Sequence, residues 1–172
     1  MKTKKGFKLF EQDEFGNLYA LFIDKNTIMP IGEWLKAGSY PTKGFAIRSG
    51  FHIGEIPSAP WLMSSNGIYK SQRRKKWKRV WAEVEYISDN DYTDFVKTLP
   101  GKSMKEKLPE NGFYFFRECG VNRIWIICDK MRINRVLTEK ERQNILKEMN
   151  YDEVKTFEPY KMAFEKRMKT AV

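Results

Sequence analysis

Apolar residues recur at every second position through most of the chain, and a helical period appears only towards its end. "FKLFEQ" and "NLYALFI" flank the turn-prone "DEFGN", so Phe7 to Phe10 and Leu18 to Ile23 are expected to form an opening hairpin, with Gly16 and Asn17 supplying positive φ. "PIGEWLKAG" reads as a brief helix that Pro30 starts and Gly38 ends, with Trp34 and Leu35 packed inward. "GFAIRSGFHIGEIPSAPW" gives two short strands broken at Ser49 and Gly50, then a helical turn around Trp61.

The pattern sharpens in "RVWAEVEYI", where Val80, Ala82, Val84 and Tyr86 fall on one face of a strand and Trp81, Glu83, Glu85 and Ile87 on the other. "GFYFFR" and "RIWIICD" are near-continuous apolar runs, as central strands covered on both sides require, with "ECGVN" a turn between them. "KMRINRVL" adds a strand with Met131, Ile133 and Arg135 on one face. Thr138 and Glu141 then form a capping-box pair ahead of a helical stripe of Ile145, Leu146 and Met149, stopped by Asn150. A last helix is expected from about Tyr160, on Met162, Phe164 and Met168. The polar, proline-bearing stretch 88–112 is a long excursion with a small helix, not a linker. These elements predict one α+β domain over residues 1–172: a mostly antiparallel, bent or two-layer sheet, a few short helices and a C-terminal helix.

Composition supports a folded chain. At 172 residues, with 41% hydrophobic and 15% aromatic side chains, it is long enough to bury a sizeable core. No apolar window is long enough for a membrane span or a signal peptide, so a cytoplasmic protein with no membrane partner is expected. Cys119 and Cys128 then read as reduced structural thiols.

Candidate chemistry is sparse. The single histidine, His52 in "RSGFHIG", is the natural acid/base group, set against the plainer role of a hydrogen-bonded strand residue. No cluster suits a metal, no GxSxG marks a nucleophile, and neither phosphate-loop nor dinucleotide glycine pattern occurs, so no metal and no cofactor is expected. Glu83 and Glu85 share a face, as catalytic carboxylates would, but equally as the solvent side of an edge strand does.

Together "GFAIRSGFHIGEIPSAPW", "RVWAEVEY" and "IWIICDKMRINRVLTEKE" resemble a family of small proteins carried by bacteriophages and mobile elements of gut bacteria, over Leu18 to about Glu148. That resemblance implies an accessory role and no defined activity. The strand order is also remotely similar to that of mono-ADP-ribosyltransferases. This second likeness implies NAD as cofactor and an enzyme pocket around Arg48, His52 and Tyr86. Where those enzymes place a Glu at the start of a late strand, this chain has Asn122 and Arg123, with Glu118 nearby.

Charge singles out a different region. Seven of the ten residues 70–79 are Lys or Arg and none is acidic, so this run carries most of the net charge of +10 and leaves +3 for all the rest. A concentrated cationic patch is the footprint expected for a polyanion. Unpaired cations resist burial, so the run is expected to protrude, with Lys70, Arg73, Arg74, Lys75, Lys76, Lys78 and Arg79 neutralising phosphates while Trp77 stacks on a base. The charge pattern thus predicts a nucleic-acid-associated protein, and the first resemblance implies an accessory protein of a phage or mobile element. The ADP-ribosyltransferase-like enzyme is one alternative; a phage protein that inhibits a host complex through an acidic host surface is another.

Overall fold

The computed structural model describes residues 1–38, 49–117 and 124–170, the side chains of 160 and 163–170 excepted. Among the described residues nine strands form one sheet: β1 (Thr3–Gln12), β2 (Leu18–Tyr19), β3 (Trp34–Lys36), β4 (Phe51–Gly54), β5 (Lys78–Ile87), β6 (Asn90–Asp91), β7 (Gly112–Arg117), β8 (Ile124–Cys128) and β9 (Lys130–Val136). Three helices accompany them: α1 (Thr93–Lys97), α2 (Glu139–Glu148) and α3 (Glu153–Thr170), with 3₁₀ turns at Pro60–Leu62 and Pro100–Lys102. Their order in space is β3-β9-β5-β1-β4-β8-β7-β6, with β2 added to β1, and every pair is antiparallel except β6 with β7. The fold is α+β, as the hydrophobic pattern predicts.

The spine is β1 against β5, paired without a break from Thr3↔Ile87 to Gln12↔Lys78. Around it the sheet curls strongly. Only Asp129 separates β8 from β9 in the chain, yet β8 lies between β4 and β7 and β9 between β3 and β5. Tyr86 on β5 and Phe113 on β7 stand four strands apart, roughly 19 Å in a flat sheet, but their rings are 5.7 Å apart.

The inner face carries the main core. Phe10, Ile53, Ala82, Val84, Tyr86, Phe113, Ile126, Cys128, Met131 and Ile133 pack together there. Val80, Ala82, Val84 and Tyr86 share this face as their alternation predicts. Gly6 lets β1 and β4 approach: a Cβ at that position would stand 2.4 Å from Ile53 Cγ2 and 3.1 Å from the Gly54 carbonyl oxygen. The outer face is covered twice. α2 and the 59–62 turn cover Phe7, Leu9 and Trp81, while Val96, Met104 and Leu108 of the 88–112 excursion cover Tyr114, Phe116 and Ile127. Arg142 of α2 joins the first of these coverings to α3, bonding Glu139, Glu153 and the Pro57 carbonyl beneath the Tyr69 ring.

Five local expectations differ from what forms. Trp34 to Lys36 is a strand, not a helix, because the free edge of β9 offers its backbone a ladder through Trp34↔Arg132 to Lys36↔Lys130. The opening hairpin is only two residue pairs long, since β1 spends its length on β5 and β4. Arg135 does not share the face of Ile133: the β5–β9 register slips between Glu83 and Val84, and this bulge turns Arg135 out to Glu83 and Glu141. Glu83 and Glu85 lie on a central strand, not an edge, and their carboxylates are taken by Lys5, Arg135 and Arg132. The last helix starts at Glu153, seven residues early, and runs through Pro159. The first of the two short strands before Ser49 and the "ECGVN" turn, with Cys119, lie outside the described residues.

Candidate nucleic-acid interface

The site begins at the turn after β1. The Asp13 carboxylate accepts the backbone N–H of Phe15 (2.9 Å) and of Asn17 (2.8 Å), the Asn17 amide (2.9 Å) and the Tyr19 hydroxyl (3.0 Å). Gly16 supplies the left-handed step at φ 90°. Desolvation opposes the charge on Asp13, but these hydrogen bonds outweigh it and hold the carboxyl below its ordinary pKa. The turn is therefore locked, and it leaves Phe15 82% exposed.

The basic run packs against this turn instead of standing clear of the fold. Trp77 stacks on Tyr19, centroids 4.9 Å apart and planes 22° apart, and the Arg73 and Arg74 guanidinium carbons each lie 5.5 Å from the indole. These neighbours cover part of the indole, and the rest of it stays partly exposed. Arg73 is half-buried. Its guanidinium donates to the carbonyls of Lys25, Ala20 (2.5 Å) and Leu21 (3.4 Å). Arg79 is buried too, its Nε 3.0 Å from Glu11 Oε1 and its Nη1 3.3 Å from the Leu62 carbonyl oxygen. Lys76 meets Glu14 at 3.1 Å on the surface.

Four of the seven cations remain. Lys70, Arg74, Lys75 and Lys78 are exposed, and no described carboxylate pairs with them. Arg74 also borders an open hollow of about 280 Å³ whose wall includes Glu14, Phe15, Tyr19, Lys25, Asn26 and Trp77. Sequence reasoning missed Phe15, Tyr19, Lys25 and Asn26. A signal for Phe15 was present, since a large aromatic at the tip of "DEFGN" has no core to enter; the others are placed only by the packing of the two loops.

The second predicted grouping is not brought together. His52 pairs with Ile127, which packs on the outer face, whereas its neighbour Ile53 and Tyr86 belong to the inner core. His52 and Tyr86 therefore lie on opposite faces of the sheet, and burial pushes the Tyr86 phenol up to about 12. Arg48 lies outside the described residues. The inner face holds one unexpected group instead: Lys8, whose ammonium donates to the His52 carbonyl at 2.9 Å. Desolvation lowers its pKa to about 8, with the Cys128 thiol nearby acting weakly the other way.

Among the described residues no group of His, Cys, Asp or Glu is arranged to hold a metal ion, and no helix is long and apolar enough to cross a membrane. Comparison with protein-family models, curated proteins and solved structures returns no match.

Proposed function

We propose that this chain is a nucleic-acid-associated accessory protein, of the phage or mobile-element kind that its sequence resembles. It contacts phosphates through Lys70, Arg74, Lys75 and Lys78. The observation that carries this reading is the division of the basic run: three of its cations have partners within the fold, and these four face water without an acid. A solvated cation array with no internal counter-charge attracts a polyanion and releases its condensed counterions. Arg74, poised over the indole, is suited to bidentate contact with a phosphate. Such contacts position a nucleic acid without reading its sequence.

The test is retardation of a labelled oligonucleotide by the wild type and by a variant with Lys70, Arg74, Lys75 and Lys78 all replaced by Ser. These side chains are exposed, so the variant should keep the wild-type circular dichroism and lose retardation. Retardation undiminished in the folded variant would refute the assignment. A folded wild type that ignores nucleic acid but is captured by an acidic protein would transfer the surface to a protein partner.

A further inference from the structure

We infer that the interface selects nucleic acid with unpaired bases, and that Phe15 is the residue that makes the selection. This rests on the reading of residues 70–78 as a phosphate-contacting surface, but the observation behind it is separate. Phe15 is 82% exposed, and solitary exposed aromatics need no explanation in general. This one differs in two respects. It sits on a turn whose conformation four hydrogen bonds to the Asp13 carboxylate hold in place, and it shares a hollow with Arg74 and with the Tyr19–Trp77 stack.

A ring presented on a fixed turn loses little conformational freedom when a ligand covers it. Trp77 has less free face to offer than Phe15, because Tyr19 stacks on the indole and two guanidinium groups lie 5.5 Å from it. Phe15 is then the ring onto which a base can stack while Arg74 holds a phosphate. Within a duplex each base is already stacked between its neighbours and offers no free π-face. In a single strand it does. The cations by themselves favour any phosphate backbone, so discrimination falls to the aromatic. Glu14 and Asn26 on the same wall can accept from or bond to the edge of the stacked base.

The experiment is fluorescence anisotropy at one fixed salt concentration, with a labelled single-stranded oligonucleotide and a blunt duplex of the same sequence. The proteins are the wild type, Phe15→Ala, Phe15→Trp and the four-Ser variant. Wild type should prefer the single strand. Phe15→Ala should weaken single-strand binding by roughly 5- to 150-fold, the range of one lost base stack, with duplex binding within about two-fold of wild type. Phe15→Trp should restore it. Equal wild-type affinity for the two ligands, or a Phe15→Ala effect that is absent or the same on both, would overturn the role of Phe15 and leave the phosphate surface standing. If the wild type binds neither oligonucleotide, both readings fall. Loss of all binding in the four-Ser variant with Phe15 intact would support the division of labour.

Discussion

Replacing Arg79 by Met should destabilise the protein far more than replacing its neighbour Lys78, although both belong to the same basic run. The Arg79 and Glu11 side chains are only 6% and 1% exposed, with Nε 3.0 Å from Oε1, and Glu11 Oε2 has no hydrogen-bond partner among the described residues. Without the guanidinium, a buried carboxylate keeps only weaker attraction to Arg73. Breaking one side of a buried ion pair costs about 3–5 kcal/mol, a large part of the roughly 5–15 kcal/mol that holds a domain together. For a chain of this length that is a fall in Tm of roughly 6–20 °C. Lys78→Met removes an exposed, unpaired ammonium and should change stability by less than about 0.5 kcal/mol. The assay is urea and thermal unfolding of Arg79→Met, Glu11→Leu, the double variant and Lys78→Met. The double variant should recover most of the loss, because exchanging a whole buried pair for apolar side chains is often neutral or better. If Arg79→Met is as mild as Lys78→Met, or the double variant is as unstable as the single one, the pair does not hold the core as argued. The outcome also bears on function: a binding test that strips every cation from residues 70–79 would destabilise the domain at the same time and so confound binding with folding.

Three further outcomes are expected. With four phosphate contacts, log affinity for single-stranded nucleic acid should fall with log salt at a slope of roughly −2.8, about 50-fold between 50 and 200 mM; anisotropy titrations that show no salt dependence would contradict the interface. Lys8 titrates near 8 in the fold against an ordinary 10.5, so between those values the unfolded chain holds the extra proton and stability rises with pH, the cost of burying the charged amine being complete below about pH 8. Lys8→Met should therefore stabilise at pH 7 by about 1–2 kcal/mol, the full figure of about 3 kcal/mol being reduced by the water its partly exposed side chain retains. That gain should shrink towards pH 10.5, and a gain independent of pH in thermal unfolding would show that desolvation is not its cause. Gly6→Ala should cost about 1–3 kcal/mol by overpacking Ile53, and combining it with Ile53→Ala should cost less than the two separate losses added together, as read from urea midpoints.

Local chemistry made much of this molecule legible in its sequence. The alternation through Val80 and Tyr86 marks a strand with one buried face, the apolar runs at 112–117 and 124–128 mark central strands, and Thr138 with Glu141 marks a helix start whose capping box forms in full. Each depends on neighbours a few residues apart, which is why a period or a cap can be read from sequence. Trp34 to Lys36 became a strand for a reason held elsewhere, in the open edge of β9. The candidate site divides in the same way. Its charge density is visible in residues 70–79, yet which cations are free was decided by Glu11, by carbonyls at Ala20 and Lys25, and by the turn that carries Phe15, all some fifty to seventy residues distant in the chain. A side chain's own chemistry says that it needs a partner; only the tertiary fold, by bringing remote segments within hydrogen-bond distance, decides whether the partner lies inside the protein or outside it.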